Sequence, residues 1–328
     1  MWQPDPGWEP LPGGAGPSTL GLWRTGQGET ARVVKRLLAP GPDDPVELAD
    51  PHHPAFWRRE ADLAACGVLE GLPGLRAPAG AVVEDAGGVT VTWAWVEASE
   101  PAPTVVARAL ARLTAVAAER VGPVPLGRDQ LRRRLARTEA RGGWPTLART
   151  SAGEVAATLW RERDAWLDRV DSLPQVLVHG DATPANLRGR DGDDVVAVDW
   201  GGLGTGPVGA DLGFHALAAR TDLLALVHAH CAARPGHLRV DGVLLGARVT
   251  LAYTALSRAE WALARVDRGE GDLTAKLRHP AVASVLRSLT RHAEDLGALV
   301  DASGRRVSGR SEPASGESGA SAPVPHDA

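Results

Sequence analysis

The chain is expected to be an α+β protein of two lobes. A small, mainly antiparallel β lobe with one helix would span residues 1–98, and a larger, mainly α lobe residues 99–302. Three features lead there. Up to about residue 98 the apolar runs are short and separated by turns rich in Gly, Pro or Asp, which is the texture of strands. Ser99-Glu100-Pro101-Ala102-Pro103 then interrupts the chain with two prolines. Beyond Thr104, apolar residues recur at helical spacing: Val106, Leu110, Leu113 and Ala117 lie on one side, with Arg108, Arg112 and Glu119 on the other.

Composition narrows the function. With 328 residues the chain can bury a proper core in one large domain or two smaller ones. A hydrophobic share of 44% and a charged share of 23% describe an ordinary soluble protein. A net charge of −4 argues against a nucleic-acid partner, which would call for a basic stripe. Cys66 and Cys231 are too few for a disulfide framework and fit a reducing cytoplasm. The start, Met1-Trp2-Gln3-Pro4-Asp5-Pro6, lacks the pattern of a signal peptide, and no run reaches the ~20 apolar residues of a membrane span. Neither a membrane nor a nucleic acid is expected as partner, and the oligomeric state is left open.

In the first lobe, Trp8–Leu11 reads as a strand and Pro12–Ser18 as a loop. Thr19–Arg24 is a second strand, Thr25–Gly28 a turn, and Glu29–Leu38 a third strand that carries Lys35. Two glycine-rich turns therefore compete for contact with phosphate, because backbone N–H groups reach phosphate oxygens best where no Cβ intervenes. Pro54 is placed in the first turn of a helix, with Phe56 and Leu63 on its apolar face. Glu60 lies next to that face, an odd place for a carboxylate without a cation. Ala81–Thr92 gives two more strands around Ala86-Gly87-Gly88.

In the second lobe, Leu131–Arg141 is so rich in Arg that it reads as a solvated helix. Ala156, Trp160, Leu167 and Val170 outline more helix, and Val243–Val266 and Pro280–Val300 are long helices. His228, His230 and Cys231 do not form a zinc site, since no second ligand pair accompanies them. Residues 303–328 carry almost no large apolar side chain and are expected to be a disordered tail.

The chemistry concentrates in Val176-Leu177-Val178-His179-Gly180-Asp181, followed by Asn186 and then by Val195-Val196-Ala197-Val198-Asp199-Trp200-Gly201. Two short apolar runs, read as adjacent strands, would bring Asp181, Asn186 and Asp199 to one edge, with Asp191-Gly192 as a hairpin turn between them. Three such oxygen donors suit Mg²⁺, which shares hard oxygen ligands with substrate phosphates. Asn186 is the only Asn in the chain, and Lys35 and Lys276 are the only lysines against 34 arginines. In so biased a composition, a surviving Asn or Lys suggests a job that Asp or Arg could not do.

His179-x-Asp181-x₄-Asn186 with Asp199-Trp200-Gly201 resembles the catalytic and metal loops of protein kinases, and its wording resembles the aminoglycoside phosphotransferase and choline kinase branch of that superfamily. The resemblance spans roughly residues 8–300 and implies a protein kinase-like fold. It implies Asp181 as catalytic base, Asn186 and Asp199 as Mg²⁺ ligands, and Lys35 as the phosphate-binding lysine paired with Glu60. The phosphate loop would join the first two strands, which favours Gly13, Gly14, Gly16 and Ser18 over Gly26-Gln27-Gly28. Adenine would meet the backbone of Trp95, Val96 and Glu97, with Trp93 or Trp95 lining the pocket. Asp211 would buttress the catalytic loop, as an alternative to a plain helix cap.

The function so implied is transfer of a phosphoryl group from ATP, with Mg²⁺, to a hydroxyl of a small molecule: aminoglycoside-like, choline-like, amino-alcohol or sugar. A non-catalytic nucleotide-binding protein of the same fold is the alternative. A protein kinase is disfavoured because no long activation segment and no Ala-Pro-Glu follow Asp199. Glu260, Asp267, Glu270 and Asp272 could serve a cationic acceptor, and Tyr253 and Trp261 a quaternary ammonium; neither set is decisive.

Overall fold

The structure is a computed structural model that describes residues 2–12, 18–141, 153–219, 221–234, 238–266 and 280–308. Its first sheet has five strands in the order β1-β2-β3-β6-β5, all neighbours antiparallel. They are β1 (Glu9–Pro10), β2 (Thr19–Thr25), β3 (Arg32–Leu38), β5 (Gly80–Asp85) and β6 (Gly88–Ala94). β3 is central, between β2 and β6, so Lys35 sits on a strand paired along both edges. It begins at Arg32 rather than Glu29, because Gly28–Thr30 form a 3-10 turn closed by the Thr30 hydroxyl on the Gln27 carbonyl at 2.8 Å.

The helix of this lobe, α1, spans Arg59–Cys66 and not the stretch opened by Pro54. Phe56 N–H bonds to the His53 carbonyl and Trp57 N–H to the Leu48 carbonyl, so these residues form turns ahead of the helix. Proline in the first turn of a helix does occur, at Pro103, where α2 (Pro103–Leu113) starts the second lobe. Its apolar stripe, Val106, Leu110 and Leu113, is buried; Ala117 lies beyond its end.

The remaining helices are α3 (Gln130–Ala140), α4 (Gly153–Arg161), α5 (Arg163–Asp171), α6 (Ala210–Ala219), α7 (Leu223–Ala232), α8 (Val240–Val266), α9 (Pro280–Arg291) and α10 (Ala293–Ser308). The 27-residue α8 is the spine of the lobe: α3, α6, α7 and α9 all pack on it. α10 continues to Ser308 and so takes in residues 303–308 of the expected tail; residues 309–328 lie outside the described ones. Among the described residues no helix is long and apolar enough to cross a membrane.

Small strands between the lobes depart from the expectation of two adjacent strands. β7 (Gln175–Val178) pairs with β10 (Gly204–Pro207). β9 (Asp194–Ala197) pairs instead with β8 (Leu187–Asp191) across the Asp191-Gly192 turn, and with β4 (Leu75–Arg76) in parallel. The polar β8, LRGRD, lacks the apolar run that marks a buried strand, which is why the sequence hid it. Two hairpin-like units thus point the loops after β7 and β9 at the same cleft.

Candidate active site

Lys35 projects from β3 and is nearly buried. Its Nζ donates to Glu60 Oε2 at 2.6 Å and to Asp199 Oδ1 at 2.7 Å. Burial works to lower the lysine pKa, but the Glu60 and Asp199 carboxylates outweigh it and raise it. Glu60 is only 3% exposed, and its other oxygen accepts from Trp93 Nε1 at 3.0 Å. The odd carboxylate on the apolar face of α1 therefore has its cation. Burial also works to raise the Asp199 pKa; the neighbouring Lys35 ammonium prevails and holds it below the ordinary carboxylate value.

Asp199 has a left-handed backbone, φ +60°, one of two non-glycine residues of that kind among those described. Asp is among the non-glycine residues that adopt this conformation most readily, and here Asp199, just past β9, lines the cleft. The loop that follows is short. Trp200–Gly202 make a 3-10 turn and β10 begins at Gly204, so α6 is reached by Ala210 with no long segment between.

The loop after β7 is held from several sides. Asp211, buried in the first turn of α6, accepts from His179 N at 2.7 Å and Gly180 N at 3.0 Å. His179 is fully buried: its Nδ1 accepts from Asp181 N at 3.3 Å, so its Nε2 carries the proton toward the Val198 carbonyl at 3.1 Å. Its ring packs on Trp200 with centroids 4.9 Å apart. One histidine thus joins both loops and needs no role in proton transfer. Gly180 has φ +83°, and a Cβ there would lie 2.2 Å from the Gly202 carbonyl oxygen, so only glycine lets the two loops touch.

Asn186 Nδ2 donates to the Asp181 main-chain oxygen and to its Oδ2, each at 2.9 Å. The amide nitrogen fixes Asp181, which leaves Asn186 Oδ1 pointing away from that pair. Val198 N bonds to the Asn186 carbonyl at 2.9 Å, placing Asn186 next to the Asp199 turn. Oδ1 of Asn186 and Oδ2 of Asp199 have no protein donor among the described residues. Two hard oxygens on one wall fit a Mg²⁺ ion completed by phosphate oxygens and water. Protein carboxylates and histidines alone would not make that site: no group of three or more His, Cys, Asp or Glu set to hold a metal occurs among the described residues.

The cleft between the lobes has a volume of about 620 Å³ and is lined by Lys35, Glu60, Trp93, Val96, Asn186 and Asp199, among others. Trp95 and Glu97 are not in its lining. The Trp95 N–H bonds to the Ala31 carbonyl, its Nε1 donates to Glu97 Oε1 at 2.8 Å, and the Arg24 guanidinium stacks 4.2 Å from its ring. Trp93 is the tryptophan that faces the cleft. Gly13, Gly14 and Gly16 lie outside the described residues; Leu11 and Pro12, which lead into that loop, line the cleft, and the Ser18 carbonyl accepts from Leu38 N at 2.8 Å.

Two residues escaped the sequence reading. Arg188 lines the cleft from β8, next to an irregularity in the strand register at Leu187–Gly189 that breaks the simple alternation of faces, so no signal in the sequence marked it. Arg59 is fully buried beside Glu60 and donates to the carbonyls of Pro51, His53, Pro54, Pro125 and Gly201. Burial pushes its pKa down to about 10, so it keeps its charge at neutral pH. It ties α1 to the turn after Asp199.

Solved structures share this architecture at low sequence identity. APH(2")-IIIa, determined with GDP and kanamycin, superposes with a TM-score of 0.59 at 13% identity, covering 90% of this chain and 95% of that one. A choline/ethanolamine kinase family protein from Mesorhizobium loti gives 0.54 at 18% identity, over 88% and 92%. A macrolide 2'-phosphotransferase type I gives 0.52 at 16%, over 82% and 89%. No curated protein sequence matches the chain. The model of the phosphotransferase enzyme family matches residues 9–243, across the sheet, the cleft and both loops. With that match and a protein kinase-like arrangement of lobes, this chain belongs to the phosphotransferase enzyme family.

Proposed function

We propose that the chain is an ATP-dependent small-molecule kinase that moves the γ-phosphoryl group to a hydroxyl. The observation that carries this reading is Lys35, bonded at once to Glu60 and Asp199 inside the cleft that also holds Asn186, whose amide fixes Asp181. In that reading Lys35 binds the α- and β-phosphates, and the adenine lies against the segment that includes Val96. Asn186 Oδ1 and the Asp199 carboxylate hold Mg²⁺, which when bound neutralises charge on the β- and γ-phosphates.

Asp181, fixed by the Asn186 amide, orients the acceptor hydroxyl and takes its proton. The acceptor oxygen forms a bond to the γ-phosphorus, the bond to the β-phosphate oxygen breaks, and ADP leaves. Catalysis of this kind is mostly positioning and charge neutralisation, and the ties from Asp211, His179 and Arg59 serve positioning.

The test is Asp181→Ala measured for acceptor phosphorylation and, separately, for binding of Mg·ATP. Turnover should fall by about 10²–10⁴-fold with nucleotide affinity within about twofold. A variant that keeps most of its turnover sinks the base assignment. A wild-type chain that binds Mg·ATP but transfers it to nothing supports a non-catalytic nucleotide-binding role instead.

A further inference from the structure

Beside Asp181 the lobe presents a cluster of arginines, two of which have no carboxylate partner among the described residues. Arg258 of α8 reaches to 3.5 Å from Asp181 Oδ1 and lines two pockets, of about 220 and 240 Å³. Arg134, Arg137, Arg141 and Ser257 also line the first; Arg287 and Arg291 of α9 line the second. The arginine-rich helix α3 is thus not uniformly solvated. Arg132 and Arg133 point to carboxylates, Arg132 to Asp168 and Asp171, Arg133 to Asp50. Arg134 and Arg137, one turn apart, have no carboxylate within ion-pair distance among the described residues.

Arg134 is the sharpest case. Its guanidinium stands over the Phe214 ring at 5.6 Å, and its Nε is sealed from solvent with no hydrogen-bond partner. The Ser257 hydroxyl beside it is likewise buried and unbonded. Burial, then the nearby Arg258 and Arg137 cations, push the Arg134 pKa down to about 10. A buried, unpaired donor is expensive, and like charges packed around it add to that. Among the described residues, the carboxylates on this face do not balance it. Glu260 is engaged by Arg141 at 2.7 Å, Glu47 acts on Arg137 only from beyond ion-pair distance, and Asp181 is shared with Arg258. Trp261 is 47% exposed at the same pocket, but arginines surround it, which suits no quaternary ammonium.

We infer that the acceptor is a hydroxyl compound bearing an anion, a carboxylate or a phosphate, which Arg134, Arg137 and Arg258 hold with its hydroxyl toward Asp181. This deepens the kinase reading and rests on it. Guanidinium groups bind both anions through paired hydrogen bonds. An anion there also competes with Asp181 for Arg258 and leaves the carboxylate to the hydroxyl. Cationic amines meet the wrong sign of charge.

Matched acceptors test this with the full chain and Mg·ATP, following ADP release: glycerate against glycerol, ribose 5-phosphate against ribose, and choline and kanamycin as cations. At least one anionic member should exceed its neutral partner tenfold or more in kcat/KM; which pair responds tells carboxylate from phosphate. Arg134→Gln should raise KM for that acceptor tenfold or more while Mg·ATP affinity stays put. Equal rates within both pairs, a preferred amine, or an unchanged KM overturns the inference.

Should no acceptor react, calorimetric titration with inorganic phosphate in the presence of saturating Mg²⁺ and a non-hydrolysable ATP analogue decides it. Binding that weakens tenfold in Arg134→Gln and Arg258→Gln supports the anion site; no binding, or equal binding in all three proteins, overturns it. Failure to bind the nucleotide is seen in the analogue titration and sinks the kinase reading separately.

Discussion

Replacing Arg59 with Met keeps most of the side-chain volume and removes all of its donors. Five main-chain carbonyls, of Pro51, His53, Pro54, Pro125 and Gly201, then lose their partner in a region where Arg59 itself is 0% exposed. Hydrogen bonds from a charged donor contribute about 1.5–3 kcal/mol each. Five at that value would match the ~5–15 kcal/mol stability of a whole domain, so simple addition overshoots. Part is returned because the guanidinium no longer has to be desolvated, and part because water can reach some of the carbonyls. A net loss of about 3–5 kcal/mol is expected, the scale of a broken buried network. Urea unfolding of the wild type, Arg59→Met and Arg59→Lys gives the number, with lysine intermediate because it keeps the charge but not the fan of donors. The Gly201 contact at 2.9 Å adds a second readout: Mg·ATP affinity should fall as the Asp199 turn loosens. A loss below about 1 kcal/mol with unchanged nucleotide affinity would refute the tether.

Other perturbations probe the same core. Asp211→Asn turns one acceptor oxygen into an NH₂ that faces the N–H of His179 or Gly180; it should lower stability by about 1–3 kcal/mol and reduce turnover, and a fully active, equally stable variant would exclude the buttress. His230 is buried with Nδ1 at 3.2 Å from the Ala107 carbonyl, and burial pulls its pKa down to about 4, outweighing that contact. Between about pH 6.5 and 4 the unfolded chain takes a proton that the folded one refuses. Stability is therefore complete above that window and falls by about 3 kcal/mol across it. His230→Gln should flatten this part of the stability–pH curve relative to the wild type; parallel curves would show that His230 does not titrate there.

Much of the fold was legible because its signals are local. The short apolar runs of β2, β3, β5 and β6 with the turns between them, and the stripe on α2, are each contained within a dozen residues. The pair Lys35 and Glu60 could be found because each broke a compositional or burial pattern of its own. Arg59 could not: in a chain with 34 arginines one more carries no signal, and its partners are carbonyls, which every residue has. The same abundance hid the division of α3, whose consecutive arginines, Arg133 and Arg134, face a carboxylate and a pocket lined by further arginines respectively. β8 escaped because its cross-strand bonds, not its side chains, make it a strand. Trp95 shows the converse, an aromatic at the expected crossing whose N–H groups are engaged by Ala31 and Glu97.

The short path from Asp199 to α6 bears on how such a protein is controlled. Between the 3-10 turn at Trp200–Gly202 and the helix at Ala210 the chain is pinned by β10 against β7. No slack remains there to be ordered or released by a modification, and α1 is fastened to the same turn through Arg59. A shift of α1 would therefore be passed on to the Asp199 turn through Arg59.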